Sequence, residues 1–231
     1  MLSLVLLPGM DGTGVLFKDF AETVQPEFNP VIVTYPNDPS LGYQELESHA
    51  RAAFPQDGPF LLLGESMSGP IAISIAASQP PGLRGLILCC TFARNPHPLL
   101  PLVCAILKPF PAGRLPAFIQ HKNLFGQHDS PRLRAQLRQL RDLVSAKTLK
   151  ARLEAVASID VSEKLRRVAV PVLDLRAKND RVVSRASGRH VQKVFPAVDV
   201  VEFDTSHLLL QTVPLDALAA ITDFVRRRIE N

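Results

Sequence analysis

A serine, an aspartate and a histidine follow three separate apolar runs and together could carry out nucleophilic catalysis. Ser66 stands in FLLLGESMSGPIAISIAA (60–77), where an apolar run ends in a glycine two residues before the serine and a helix-like run begins at once. A sharp strand-to-helix turn of this kind exposes the hydroxyl at the edge of a sheet, and the helix N-terminus behind it favours negative charge. Ser68 occupies the second small position, where glycine is usual. The motif is short, and a serine that only caps a helix would fit the same letters.

The base and the carboxylate that such a serine needs are predicted in loops after later strands. Asp180 follows one later apolar run, and His207 follows the next. Asp204, adjacent to the histidine, is a competing carboxylate, and Asp180 could instead be a turn residue before a helix. Because all three positions come just past a strand, they predict a triad of Ser66, His207 and Asp180.

Stabilisation of a developing oxyanion requires backbone N–H donors near the serine. The amide of Met67 opens the helix after the nucleophile and is one candidate. The other is predicted in the loop PGMDGTG (8–14), whose glycines permit tight turns. We choose the amide of Met10 there, with Asp11 as the alternative, and expect Gly9 and Asp11 beside the substrate. The alternative of a phosphate-binding loop lacks the lysine and the spacing of a P-loop.

Six apolar runs of strand length alternate with helical patterns. The predicted strands are 2–7, 31–35, 60–63, 86–90, 172–175 and 198–203, and the predicted helices are 17–24, 43–54, 69–78, 184–194 and 214–229. Several of the strands are continuous hydrophobic runs, which is typical of a sheet buried on both faces. We therefore predict an α/β fold with about six mostly parallel strands and helices on both faces.

The alternation breaks at residues 92–161, which begin with a proline-rich stretch and end in amphipathic helical patterns. We predict a helical cap there over the sheet's edge, inserted into a core formed by 1–91 and 162–231. The alternative is a second packing layer without a role in substrate entry. The segment carries eleven Lys and Arg against four Asp and Glu, whereas the rest of the chain is slightly acidic.

Composition limits the remaining classes of function. The chain of 231 residues is 46% hydrophobic, which suits one large core, but no apolar run approaches the ~20 residues of a membrane span. The N-terminus has no basic leader typical of a signal peptide. Cys89, Cys90 and Cys104 form no even disulfide framework, so we expect reduced thiols in a cytoplasmic protein. We predict no metal, no cofactor and no nucleic-acid partner.

The segments LLPGMDG, LLLGESMSG, PVLDLRAKNDRVVS and SHLLLQTVP together resemble the α/β-hydrolase superfamily, and the resemblance covers nearly all of the chain outside the cap. It implies a serine esterase in which Ser66 attacks a carbonyl, His207 moves the proton and Asp180 holds the imidazole. The amides of Met10 and Met67 would receive the oxyanion. The departures are Pro8 for a usual histidine, Ser68 for glycine and Ala177 for a glycine before the acid loop. Because the chain starts at the oxyanion strand, we expect six strands rather than a larger sheet.

Within the superfamily, the length and the cap are similar to small carboxylesterases of the pimeloyl-carrier-protein methyl ester esterase type. Arg134, Arg138 and Arg141 fall on one helical stripe, with Arg132, Lys147, Lys150 and Arg152 nearby. This basic surface could meet an acidic carrier protein or a CoA phosphate, or could be an ordinary solvated face. Leu208, next to the histidine, is a further candidate for contact with a small-molecule ester.

Two other functions stay open at this point. The PGMDGTG loop also resembles plant-type acyltransferases of the same fold, which would pass the acyl group to an alcohol instead of water. A ligand-binding module on this fold would have no turnover, although no triad position of this chain is substituted. Neither the acyl chain length nor the oligomeric state can be predicted from the sequence.

Overall fold

The computed structural model describes residues 1–107 and 130–230, without the side chains of Val103, Ile106, Leu107 and Arg141. The strands are β1 (Ser3–Leu7), β2 (Asn29–Ile32), β3 (Phe60–Glu65), β4 (Leu83–Cys89), β5 (Val172–Ala177) and β6 (Asp199–Phe203). The helices are α1 (Lys18–Val24), α2 (Tyr43–Ala52), α3 (Gly69–Ala77), α4 (Leu100–Leu107), α5 (Pro131–Leu143), α6 (Ala146–Ser158), α7 (Ser162–Arg166), α8 (Arg185–Val194), α9 (Leu209–Thr212) and α10 (Pro214–Arg228). Short 3₁₀ turns cover Val15–Phe17 and Ser66–Ser68.

The six strands form one parallel sheet in the order β2-β1-β3-β4-β5-β6. Alternate residues of the strands enter two separate apolar cores, one under α2, α3, α7 and α8, the other under α1, α9 and α10. Burial on both faces is the reason that the strands read as continuous hydrophobic runs. The predicted α/β fold with a six-stranded parallel sheet is therefore confirmed.

The edge strand β2 is the element whose bounds differ most from the prediction. Its pairing with β1 runs from Asn29 to Ile32, whereas the apolar pattern placed the strand at 31–35. Val33 and Tyr35 are buried, but they lie past the end of the ladder in the loop that follows. An edge strand pairs with only one neighbour, and that pairing determines its length. The hydrophobic pattern of the sequence therefore does not predict where such a strand begins and ends.

Two long helices lie between β4 and β5, in the segment predicted as a cap. The N-cap serines Ser130 and Ser145 each accept a hydrogen bond from a backbone N–H of the first turn, which fixes where α5 and α6 begin. The apolar stripe of α5 packs beside Leu16 and Leu208. Residues 108–129 of the predicted cap lie outside the described residues, and the division into core and cap stays a prediction.

Cys89 and Cys90 are buried free thiols at the end of β4, and Cys104 is a partly buried free thiol in α4. The cytoplasmic location inferred from these cysteines stays a prediction. Among the described helices, none has the length and apolar character needed to cross a membrane.

Candidate active site

Ser66 lies in the turn that joins β3 to α3, at the C-terminal edge of the sheet. Its backbone has φ = 52°, a left-handed conformation that is rare for a residue with a side chain. The turn needs a glycine at position 64, since a Cβ there would lie 2.8 Å from the Ala72 Cβ and from the Ser68 carbonyl oxygen. The strand, the turn and the helix therefore hold the Ser66 hydroxyl at a partly exposed position.

The structure brings the three residues of the predicted triad together. The Ser66 Oγ lies 3.0 Å from His207 Nε2, and His207 Nδ1 lies 2.8 Å from Asp180 Oδ2. In the tautomer that this geometry requires, Nδ1–H donates to the carboxylate and the serine hydroxyl donates to Nε2. The other carboxylate oxygen, Oδ1, accepts the backbone N–H groups of Val182 and Val183 at 2.8 and 2.9 Å.

The charge balance around His207 favours its protonated form. Burial disfavours the imidazolium, but the charge and the hydrogen bond of Asp180 outweigh burial, and Glu65 adds to their effect, so the pKa of His207 is raised. The side chains of His207 and Asp180 are only 5% and 6% exposed, so water screens their interaction little. The imidazole is therefore well suited to accept a proton from Ser66 and to be stabilised once charged.

The predicted oxyanion loop forms a tight turn beside the nucleophile. Gly12 N–H donates to the Gly9 carbonyl at 3.1 Å, which places Met10 and Asp11 at the two corners of the turn. A Cβ on Gly9 would lie 3.7 Å from the Ser66 Cβ, so the loop runs directly beside the serine. The Asp11 carboxylate accepts from the backbone N–H of Thr13 at 2.8 Å. The geometry brings Gly9 next to the nucleophile, and an oxyanion role for Met10 stays a proposal.

Ser68, the departure from glycine in the motif, connects the nucleophile turn to the oxyanion loop. It is fully buried, its hydroxyl donates to the Pro8 carbonyl, and the Tyr35 hydroxyl lies 2.9 Å from its Oγ. The Tyr43 hydroxyl also donates to the Met67 carbonyl at 3.2 Å. These buried bonds hold the loop and the turn at a fixed separation, a function that a glycine at position 68 could not supply.

Glu65 is a buried carboxyl beside the nucleophile that the sequence analysis did not select. It is 4% exposed, and its side chain accepts from Gln211 Nε2 at 3.1 Å and from the backbone N–H of Gly9. Burial raises its pKa to about 7, an effect that Asp11 reinforces and that Gln211, His207 and the Gly9 N–H oppose. A charged residue at the end of an otherwise apolar strand, next to Ser66, was the signal that could have identified it.

Replacing Glu65 by glutamine is expected to change how stability depends on pH. In the wild type the unfolded chain loses this proton near pH 4.5 and the folded chain keeps it until about pH 7. Between these values the folded state binds more protons, so the free energy of unfolding falls as pH rises, by about 3 kcal/mol from this group. Glu65→Gln removes that loss, so its stability relative to the wild type should increase from pH 4.5 to 7.5.

Urea unfolding of both proteins across this pH range measures the difference directly. Glu22→Gln, at an exposed position on α1, serves as the control and should run parallel to the wild type. Parallel curves for Glu65→Gln and the wild type would mean that Glu65 is not the titrating group.

Two of the predicted substrate-binding arginines, Arg134 and Arg138, lie on a different face of α5 from its apolar stripe. Arg134 and Arg138 are exposed on α5, whereas Leu133 and Leu140 of the same helix are buried next to Leu208. These two side chains are thus exposed at the surface and do not belong to the buried stripe. The side chain of Arg141 lies outside the described residues. Leu208, the residue after His207, is 5% exposed and packs with this stripe.

Arg152 corrects the prediction that it belongs to a basic docking surface. It is only 2% exposed, and its guanidinium donates to the backbone carbonyls of Met10, Asp11 and Pro36. The physical reason is its helical spacing. Arg152 shares the inward face of α6 with Val156, so it points into the core and cannot meet a partner.

One group of side chains in the described residues has the spacing of metal ligands. Ligand atoms of Cys90, Asp180 and His207 all lie within 4.8 Å of one another. Both ring nitrogens of His207 are already hydrogen bonded, to Ser66 and Asp180. The hydrogen bond with Cys89 lowers the pKa of the Cys90 thiol, but burial and the nearby carboxylates outweigh it, so this pKa is raised. We therefore interpret this group as two members of the predicted triad with a neighbouring thiol.

The parallel sheet, the strained serine after β3 and its hydrogen-bonded histidine and aspartate define an α/β-hydrolase. A family model described as serine aminopeptidase, S33 matches residues 42–203, well over half of the chain, and the chain belongs to this family. A similar curated protein is the pimeloyl-[acyl-carrier protein] methyl ester esterase of Aeromonas hydrophila subsp. hydrophila. It is 26% identical over 242 residues, covering 96% of this chain and 94% of that protein. The chain is a carboxylesterase-type hydrolase.

Solved structures agree with the fold. The enol-lactonase from Burkholderia xenovorans LB400 has a TM-score of 0.81 at 18% identity, covering 98% of this chain and 92% of the other. A thermophilic esterase from Thermogutta terrifontis has a TM-score of 0.76 at 20% identity, covering 98% and 90%. The resemblance to the α/β-hydrolases that the motifs indicated is therefore confirmed.

Proposed function

We propose that the protein hydrolyses a carboxylic ester or thioester through a Ser66–His207–Asp180 triad and an acyl-enzyme intermediate. The observation that carries this proposal is the continuous hydrogen-bond chain from the Ser66 hydroxyl through His207 to the Asp180 carboxylate, at 3.0 and 2.8 Å. It ends in a carboxylate held by two backbone N–H groups, so the imidazole has one fixed orientation.

The chemistry proceeds in two halves. His207 Nε2 takes the hydroxyl proton as Ser66 Oγ attacks the carbonyl carbon, and the oxyanion forms toward the amides of Met10 and Met67. The imidazolium, stabilised by Asp180, then gives its proton to the leaving alcohol or thiol as the carbon–oxygen or carbon–sulfur bond breaks. Water attacks the acyl-enzyme with His207 again as base, and the acid leaves as Ser66 regains its proton.

For the substrate we propose a small-alcohol ester whose acyl group is attached to an acidic carrier protein or to CoA. The curated relative is named for a carrier-protein-linked methyl ester, and the resemblance spans nearly the whole of both chains. The exposed Arg134 and Arg138 on α5 supply positive charge on the cap, which would attract an acidic carrier. Leu208 directly follows His207 and packs with the apolar stripe of α5, so these side chains are suited to an alkyl chain.

A fluorophosphonate probe tests the mechanism, and a substrate panel tests the specificity. The probe should label the protein, with the adduct mapped by peptide mass spectrometry to the segment containing Ser66. Turnover should then be compared for p-nitrophenyl esters of increasing chain length, for CoA esters and for a carrier-protein-linked methyl ester. A protein that neither reacts with the probe nor turns over any ester would be a binding module, which rejects the proposal.

Acyl transfer is the second candidate, favoured by the resemblance of the PGMDGTG loop to plant-type acyltransferases. Adding glycerol or a fatty alcohol to the same assays distinguishes it from hydrolysis. Formation of a new ester at the expense of free acid would support transfer, and free acid alone would leave water as the acceptor.

A further inference from the structure

Arg152, in the segment predicted as a cap, forms hydrogen bonds with the predicted oxyanion loop. Arg152 on α6 donates from Nη1 to the carbonyls of Met10 at 2.9 Å and Asp11 at 2.7 Å, and from Nη2 to the carbonyl of Pro36 at 2.9 Å. It is therefore bonded to two consecutive peptides of the oxyanion loop and to one peptide of the loop after β2. No other fully buried side chain among the described residues is as large.

The surroundings of Arg152 fit a planar guanidinium. Its Cζ lies 5.9 Å from the centre of the Tyr35 ring, a distance typical of a cation–π contact. Gly12 leaves room for it, since a Cβ at Gly12 would lie 2.5 Å from Nη1. Three backbone carbonyls converge on one side chain, and they bond to two separate nitrogens of its planar fork. A lysine has the charge and three N–H donors, but all three are on a single nitrogen, so it matches this arrangement less well.

The helix that carries Arg152 is itself fixed to the core. The side-chain oxygen of Asn37, Oδ1, accepts from the backbone N–H of Ser145 at 3.0 Å and from the hydroxyl of Thr148 at 2.7 Å. Asn37 directly follows Pro36, so the start of α6 and the Arg152 guanidinium hold the same short stretch of the core. The arginine therefore acts from a rigid base, which a positioning role requires.

We propose that Arg152 is a positioning residue that orients the Met10 peptide for oxyanion stabilisation and does not contact the substrate. By fixing the carbonyls of Met10 and Asp11, which belong to the two peptides after the Met10 N–H, it limits rotation of the adjacent Gly9–Met10 peptide, whose N–H is the proposed donor. The kinetic part of this inference rests on the proposed function. It also makes the cap part of the catalytic support, and not merely a cover over the site.

Loss of such a support should affect the transition state more than substrate binding. Arg152→Met would misplace the Met10 N–H without removing it, so it is expected to lower kcat by roughly tenfold to a hundredfold. KM for a small uncharged ester should stay within about twofold, because ground-state binding does not use the oxyanion donors. The affinity for a trifluoromethyl ketone, which forms an oxyanion on Ser66, should fall by the same factor as kcat/KM.

The experiment compares Arg152→Met, Arg152→Lys and Arg166→Met. Arg166 is an exposed arginine on α7 whose pair with Glu163 is solvent-exposed, so its removal controls for the loss of one arginine. Each variant is measured for kcat and KM on a small p-nitrophenyl ester, for trifluoromethyl ketone affinity, and for backbone hydrogen exchange in peptides that cover residues 8–14. Arg152→Lys is the more conservative change and keeps the test available if Arg152→Met does not fold.

The positioning role would be supported if kcat and the ketone affinity fall and hydrogen exchange in residues 8–14 becomes faster. These changes should be larger in Arg152→Met than in Arg152→Lys, and absent in Arg166→Met. An unchanged kcat, with only a lower melting temperature, would overturn the positioning role. So would a rise in KM alone, because that would indicate substrate contact. An inert wild type would reject the proposed function, and the exchange of residues 8–14 would still decide whether Arg152 holds the loop.

Discussion

Alanine in place of Ser66 is expected to lower kcat for ester hydrolysis by a factor of about 10⁴ to 10⁶, with fluorophosphonate labelling lost. The reason is that His207 Nε2, 3.0 Å from Ser66 Oγ, then has no hydroxyl to deprotonate. The remaining activity would come from water acting directly on a bound ester near the oxyanion loop. Steady-state assays with a p-nitrophenyl ester, and gel detection of the labelled protein, measure both effects.

The serine at position 66 should be required for activity but should lower the stability of the fold. Ser66 is held at φ = 52°, and a left-handed residue with a side chain costs on the order of 1 kcal/mol relative to glycine. Ser66→Gly is therefore expected to be as inactive as Ser66→Ala but to unfold at a higher temperature. Ser78→Ala, at the other end of α3, is the matched control and should keep full activity. Retained labelling in Ser66→Ala would place the nucleophile elsewhere and reject the triad.

The sequence was sufficient to predict the sheet because its strands are buried on both faces. Every residue of β1 and β3 is buried, and apart from Ser3, Gly64 and Glu65 all of them are apolar, so their apolar runs mark them directly. The arrangement of Ser66, Asp180 and His207 could be predicted for a related reason. Each follows a strand, and parallel strands bring their C-terminal ends to one edge of a sheet. The sheet topology therefore brings the three residues to the same edge, and their order along the chain was enough to predict that they lie together.

The buried polar residues around the site were harder to predict. Glu65 and Arg152 depend on partners far away in the sequence, 146 residues away for the bond from Gln211 to Glu65 and 142 for the bond from Arg152 to Met10. A single sequence does not show which distant residues contact each other. Arg152 also belongs to a strongly basic segment, where a solvated arginine is the ordinary expectation. Its position on the same helical face as Val156 was the one local indication of burial.

These buried groups explain how a short loop can be rigid enough for catalysis. The Pro8 carbonyl is held by Ser68, the Gly9 N–H by Glu65, and the Met10 carbonyl by Arg152. Three successive residues of the loop are thus fixed by three different elements, namely the turn after β3, the end of β3 and α6. A glycine-containing loop has little rigidity of its own, so the fixed geometry comes from these contacts.

Asparagine in place of Asp180 is expected to lower kcat by about 10⁴ while leaving the fold intact. The amide can keep the bonds from Val182 and Val183 through its oxygen, but its NH₂ group would face His207 Nδ1. An NH₂ donor at that place favours the tautomer with the proton on Nε2, which then cannot accept the proton of Ser66. The defect therefore persists at high pH, where the imidazole is neutral in both proteins.

The pH profile gives a second signature of Asp180→Asn. Catalysis needs neutral His207, so kcat/KM rises with pH through the pKa of this residue, which Asp180 raises in the wild type. Removing the carboxylate lowers that pKa, so the acid limb of the profile should move to lower pH.

The free energy of unfolding of Asp180→Asn should also depend on pH differently from that of the wild type. A histidine whose folded pKa is raised stabilises the fold below about pH 6.5, and the contribution is lost as pH rises through the folded pKa. The variant's loss of unfolding free energy should therefore be larger at pH 5.5 than at pH 8.5.

Asp204→Asn separates this effect from a general loss of negative charge near the histidine. Asp204 is exposed and accepts from Asn179 Nδ2 at 2.8 Å, and it was the competing candidate for the triad acid. Its replacement should leave kcat, the acid limb and the pH dependence of stability close to those of the wild type. Equal losses in the two variants, or a loss in Asp204→Asn alone, would contradict the assignment of Asp180. The pair of variants therefore tests which carboxylate orients His207, because each variant replaces one of the two candidate carboxylates with an amide.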